Sequence, residues 1–157
     1  MLKYSALLAM TAVELSLGRG IPGGRGSVRP RPTMQYLEFG GLMHTLGYEW
    51  EAHKVKTEDG WDLSMFRITG RTDDRSSAWN DIPVLVQHGG LADAQALVEA
   101  GAAQGSITWA LQLVDHGYDV WLPNNRGTRY SNTNDRDGEW TDAERWNFSW
   151  AEMGLYD

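Results

Sequence analysis

Val84, Leu85 and Val86 form an unbroken apolar run between Pro83 and Gln87, and the run ends at once in His88-Gly89-Gly90. A strand without polar alternation is expected to be buried on both faces, as in a parallel sheet. A second run, Tyr118 to Leu122, is stopped by Pro123. Between them Ile107, Trp109, Ala110, Leu111, Leu113 and Val114 make an apolar stripe at helical spacing. Ser106 is placed to cap its start, and Gly117 to close its end in the left-handed conformation. Strand, helix and strand make a βαβ unit, which should cross over right-handed. The class is therefore α/β with parallel strands. At 157 residues there is room for one sizeable core and not for two.

Upstream, the pattern changes to antiparallel. Tyr36 to Trp50 is punctuated by glycine and takes no clear assignment. His53 to Thr57 reads as a short strand, and Glu58-Asp59-Gly60 as a turn with Gly60 at positive φ. Trp61 to Ile68 alternates, with Trp61, Leu63, Met65 and partly Arg67 on one face and Phe66 and Ile68 on the other. That is a β-hairpin. Gly70 to Asp81 reads as a polar loop. Thr141 is placed to cap a further helix, with Asp142 and Glu144 in its first turn, where the helix dipole favours them.

Charge divides the chain. Up to Thr33 the net charge is +4, from Lys3, Arg19, Arg25, Arg29 and Arg31 against Glu14, which leaves −11 for the remainder of a total of −7. Gly18 to Thr33 holds five glycines, three prolines and four arginines and reads as a disordered linker. Ala6 to Val13 is an apolar run too short to span a bilayer, and reads as the core of a secretory signal, although Glu14 weakens it. A disordered N-terminus and an arginine-rich transit peptide are the alternatives. Residues 1–33 are thus set apart from a partial domain over 34–157. The acidic balance gives no overall footprint for nucleic acid. The chain has no cysteine, which excludes a disulfide scaffold, a thiolate zinc site and a cysteine nucleophile.

Ligands of open α/β sheets bind beyond the carboxyl ends of the strands, and two loops lie there. In Gln87-His88-Gly89-Gly90-Leu91 the glycines permit a sharp turn with amides directed outward, which can stabilise an oxyanion; a plain tight turn is the alternative. His88 is expected to position this loop by hydrogen bonding rather than to transfer protons. In Pro123-Asn124-Asn125-Arg126-Gly127, Arg126 can tie loop carbonyls together or grip a carboxylate, and a structural clamp is the favoured role. His44, His53 and His116 have no metal-like spacing, so no metal is expected. Asp135 to Glu144 lacks calcium-loop spacing and reads as solvated surface. Trp140, Trp146, Phe148 and Trp150 read as core or interface.

Four ordered blocks resemble the acid lipase family of α/β-hydrolases, the gastric and lysosomal type. They are Glu58-Asp59-Gly60-Trp61 with Leu63 and Arg67-Ile68; Pro83 to Gly89; Gly117 to Leu122 with Asn124-Asn125-Arg126-Gly127 and Tyr130-Ser131; and Phe148-Ser149-Trp150 with Glu152-Met153 and Tyr156-Asp157. The third is the most specific. The resemblance implies the N-terminal part of an α/β-hydrolase fold, an antiparallel hairpin leading into a parallel sheet with flanking helices, and incomplete.

It also implies a serine-dependent hydrolase of acylglycerols or sterol esters, without a cofactor, acting on lipid at a membrane or droplet surface in a secreted or lysosomal compartment. The oxyanion-hole amide would be that of Gly90, with Leu91 as second choice, because the family usually has leucine directly after His-Gly. Asn124, Asn125 and Arg126 would be structural neighbours of the site. The stretch Ala92 to Gln104 departs from the family. No G-x-S-x-G elbow occurs in the sequence, and Ser106, Ser131 and Ser149 do not fit the nucleophile's pattern. No triad residue is assigned, and the chain is expected to stop before its nucleophile and to be inactive alone. The alternatives are a short non-catalytic protein that binds lipid or a partner and, less favoured, a general esterase.

Overall fold

The computed structural model describes residues 34–73, 82–102, 106–134 and 141–157. The signal and linker expected over residues 1–33, most of the polar loop after Gly70, and Trp140 lie outside the described residues. In chain order the elements are α1 (Met34–Leu46), β1 (Tyr48–Lys56), β2 (Trp61–Arg71), β3 (Pro83–Leu85), α2 (Ala96–Ala102), α3 (Trp109–Asp115), β4 (Asp119–Pro123), β5 (Thr133–Asn134), α4 (Asp142–Arg145) and α5 (Trp150–Tyr156).

The sheet runs β1-β2-β4-β3, with β5 pairing the start of β2. β1 and β2 form the expected hairpin, in register from Tyr48↔Arg71 to Lys56↔Asp62 around a bulge at Glu49/Trp50. Gly60 turns it at φ +93°. β4 pairs β2 antiparallel, and β3 pairs β4 parallel, which is the expected strand-helix-strand unit. The result is a sheet of mixed direction with flanking helices, the expected α/β class.

Register sets the core. Phe66 faces Leu122, Ile68 faces Val120, and Val84 lies beside Val120 on the same side. Phe39 and Met43 of α1, Val98 of α2, and Ala110, Leu111 and Val114 of α3 pack on that side, with Val86 and Tyr130. Each fully buried aliphatic or aromatic side chain of this kind contributes about 1.5–3 kcal/mol. Phe39 and Phe66 stack with centroids 4.3 Å apart.

Several expectations are corrected here. β3 is not buried on both faces. Leu85 points to the opposite side of the sheet, beside Trp121, and is 62 % exposed because β3 is an edge strand. That side carries Arg67, bonded to Asp119 through Nε at 2.8 Å and lying over Trp121, and among the described residues no helix of the core packs there. Tyr36 to Trp50 contains helix α1 and the start of β1, so the first strand begins at Tyr48, not His53. Phe39 and Met43 are buried, with Tyr36 and Leu46 half-buried on the same stripe, although Gly40 interrupts the helical propensity. A Cβ on Gly40 would meet the Trp50 ring at 3.3 Å, so the glycine admits close packing of α1 on β1.

Thr108, not Ser106, caps α3, its hydroxyl accepting from the Leu111 amide. Ile107 therefore precedes the helix, and both it and Trp109 are exposed. Gly117 ends the helix as expected, at φ +83°. Its amide reaches Val114 O at 2.9 Å and that of Tyr118 reaches Leu113 O at 3.1 Å, the paired bonds of a Schellman cap. Thr141 caps α4 with a reciprocal bond from Glu144.

Candidate functional site

The two loops at the carboxyl ends of β3 and β4 come together, stitched by side chains. The Gln87 amide donates to Asn125 Oδ1 at 2.8 Å. The Asn125 backbone amide donates to His88 Nε2 at 3.2 Å, which leaves the ring proton on Nδ1 to be donated to Gly89 O at 2.8 Å. Both ring nitrogens of this buried histidine are thus engaged in holding the loops. Asn124, 1 % exposed, accepts from the Ala94 amide at 2.9 Å and donates to Ser64 O at 3.1 Å, so it ties the far side of the first loop to β2.

The first loop turns at Gly89–Ala92, closed by the Ala92 amide on Gly89 O at 3.3 Å. Leu91 is its third residue and stands at φ +63° with its side chain fully exposed. A leucine in the left-handed region costs on the order of 1–2 kcal/mol, a kind of strain that gathers at functional sites. The amides of Gly90 and Leu91 donate to no acceptor among the described residues.

Arg126 is the anchor of the second loop. Its side chain is almost completely buried, and it grips carboxylates rather than loop carbonyls. Two guanidinium nitrogens donate to Asp59 at 2.6 and 3.0 Å. Nε donates to Asp157 Oδ1 and the backbone amide to Oδ2, at 2.6 and 2.7 Å. Trp61, Phe148 and Tyr156 line the guanidinium faces, with centroids 5.3 to 5.8 Å away. Burial disfavours the cation, but the hydrogen bonds it donates to the two carboxylates raise its pKa further above the ordinary value. The same guanidinium holds the Asp59 carboxyl below the usual range.

Between these loops and α5 lies a cleft of about 520 Å³, lined by His88, Gly90, Leu91, Asn125, Arg126, Arg129 and a set of aromatic side chains. Trp146 and Trp150 are more than half exposed here, so with Phe148 they wall the cleft instead of filling a core. These are the residues that sequence reasoning missed. The available signal was their position directly before Glu152-Met153 and Tyr156-Asp157, in the block that carries the family resemblance.

Two of the three serines singled out in the sequence are committed elsewhere. Ser149 lines the cleft, but its hydroxyl donates to Glu152 at 2.5 Å and accepts from the Ala151 amide at 3.1 Å as the cap of α5. Ser131 is buried and bridges the Ser64 amide and Asn124 O, both at 2.8 Å. Ser106 is exposed. His53 pairs with Glu51 at 3.1 Å and His116 with Gln112 O at 2.7 Å. Among the described residues no group of three His, Asp or Glu is placed to hold a metal.

Residues 40–100 match the family model described as "Partial alpha/beta-hydrolase lipase region". The chain is 40 % identical over 124 residues to Lipase 1 of Drosophila melanogaster, which covers 77 % of this chain and 25 % of that protein. It is 39 % identical to Triacylglycerol lipase 2 of Arabidopsis thaliana, over 97 % of this chain and 37 % of that one. To Gastric triacylglycerol lipase of Rattus norvegicus it is 32 % identical, over 96 % and 37 %. The chain thus spans between a quarter and two-fifths of the length of these relatives. With the hairpin, the parallel β3–β4 pair and the two stitched loops, these matches identify a partial α/β-hydrolase lipase region in the chain, similar to that of gastric and other triacylglycerol lipases.

Proposed function

We propose that this chain supplies the scaffold and one wall of the oxyanion hole of a serine-dependent hydrolase of lipid esters, acylglycerols or sterol esters. One observation carries the reading: the Gly89–Ala92 turn brings Gly90 and Leu91 to an apolar cleft at the carboxyl ends of the strands. A serine attacking an ester carbonyl drives negative charge onto the carbonyl oxygen. A fixed backbone amide stabilises that charge without reorganising. Gly90 is the first candidate donor and Leu91 the second. A histidine takes the serine proton and an aspartate orients the histidine; neither these nor the serine is assigned within the 157 residues. His88, Asn124, Asn125 and Arg126 hold the loops. Action at a lipid surface, in a secreted or lysosomal compartment, follows from the same reading.

The direct test is a chimera in which residues 49–157 replace the matching segment of a gastric triacylglycerol lipase. It is expected to hydrolyse p-nitrophenyl butyrate. Gly90→Pro, which removes the amide hydrogen, should lower kcat by roughly 10²–10³-fold; Leu91→Pro also forces the backbone away from φ +63°, so it bears on the second candidate only where activity survives it. The 157-residue chain alone is expected to show no turnover. Robust hydrolysis by that chain, or an active chimera indifferent to both prolines, overturns the reading. A non-catalytic lipid-binding role is favoured by one observation, the commitment of Ser149 to helix capping inside the cleft. An inactive chimera together with a chain that binds lipid would select it.

A further inference from the structure

Two glycines, one in each stitched loop, have an aromatic ring where a side chain would stand. A Cβ on Gly90 would lie 2.8 Å from Cη2 of Trp150, and one on Gly127 would lie 2.9 Å from both Phe148 and Trp146. Contacts that short do not persist, so the rings occupy the side-chain space of positions 90 and 127. The fit is local, since a Cβ on neighbouring Gly89 would meet nothing within 4 Å.

Trp150 is held at both ends of its helix. It is the first residue of α5, where Ser149 caps the Ala151 amide and Glu152 bonds back to the Ser149 amide at 2.7 Å. At the other end Asp157 is locked to Arg126. The cap and the buried ion pair thus fix the backbone that carries Trp150 beside the loop. Yet 70 % of Trp150 remains exposed, and it lines the cleft beside Leu91 and Met153.

We propose that Trp150 is the positioning and specificity-determining residue of the cleft. Its indole, seated on the bare backbone of Gly90, holds the Gly89–Ala92 turn and forms the apolar wall along which an acyl chain lies. The contact with Gly90 stands by itself. The acyl ligand rests on the ester-hydrolase reading. An aromatic wall gains with each methylene laid against it, so its effect must grow with chain length.

The test uses the 157-residue chain with amide hydrogen exchange and titrations with decanoate and butyrate. Trp150→Ala should speed exchange at the Ala92 amide, which closes the turn on Gly89 O, and weaken decanoate binding roughly tenfold, about 1.4 kcal/mol, with butyrate little changed. Trp150→Phe should restore most of both. Gly90→Ala should reproduce the exchange effect by displacing the indole, and the double variant Gly90→Ala/Trp150→Ala should be no worse than the stronger single change. Unaltered exchange in a Trp150→Ala variant with unaltered far-UV circular dichroism overturns the positioning role. Equal losses for both acids overturn the specificity role. An unaltered chain that binds neither acid counts against the ester-hydrolase reading, and exchange alone then decides whether Trp150 positions the turn.

Discussion

Asp157 accepts both the backbone amide and the Nε of Arg126, at 2.7 and 2.6 Å. Its side chain is 2 % exposed and that of Arg126 is 1 % exposed. Removing one member of such a pair leaves the other buried and uncompensated. Arg126→Ala should therefore cost about 3–5 kcal/mol in urea unfolding. Arg126→Lys should recover only part, because an ammonium cannot serve Asp59 and Asp157 with one planar fork. A loss below about 1 kcal/mol for the alanine variant would show that the pair does not hold the loop.

Stability should fall in acid, with a sign set by Asp59. The hydrogen bonds from Arg126 depress its pKa, with burial opposing and Thr57 assisting. A depressed carboxyl stabilises the fold in full above its unfolded pKa of about 3.9, and the gain is lost as pH falls through the lower folded value. The same direction holds for Asp115, where burial opposes but bonds from Arg71 and Tyr48 prevail. The urea midpoint should be nearly flat from neutral pH down to the ordinary carboxylate range and then drop. Asp59→Asn should lower the plateau and flatten part of the drop. An acid slope identical in the variant would remove Asp59 from this account.

Gly127 and Gly89 should respond oppositely to alanine. Gly127 stands at φ +78° under the rings of Phe148 and Trp146, whereas a Cβ at Gly89 meets open space. Gly127→Ala incurs about 1–2 kcal/mol of backbone strain plus displacement of the rings. Gly89→Ala should lie within about 0.5 kcal/mol of the unaltered chain. Thermal melts of the two variants side by side decide this, and similar melts would contradict it.

Leu85 should be replaceable without loss. It stands 62 % exposed on the edge strand, with Ile82 nearby at 55 %. Exposed apolar edges invite pairing with other chains. Leu85→Lys should leave the melting temperature unchanged and reduce self-association in sedimentation velocity. A large drop in stability would place Leu85 in a packed environment.

The sequence makes the hairpin, the parallel pair and both site loops legible, because each depends on local pattern: alternation from Trp61 to Ile68, the apolar runs, and Gly60 and Gly117 at positions that need positive φ. What escaped it depends on distant partners. Helix α1 is obscured by Gly40, whose purpose becomes apparent only beside Trp50. Val84, Leu85 and Val86 look alike in sequence, but only the sheet order shows that Leu85 faces outward from an edge. Ser106 and Thr108 are both plausible caps until the helix register selects Thr108. Arg126 was recognisable as a clamp, whereas Asp59 and Asp157 as its targets were not, since they lie 67 and 31 residues away.

Those separations bear on how the chain folds. The guanidinium joins the hairpin turn to the end of α5, so its ion pairs form only after two long loops have closed. Closing long loops delays contacts because their entropy must be overcome first. The hairpin and the capped α3 can form from their own neighbours, but the Arg126 junction cannot be made by any short fragment. Loop-closure entropy therefore favours its formation late in folding, with the cleft shaped at the same step.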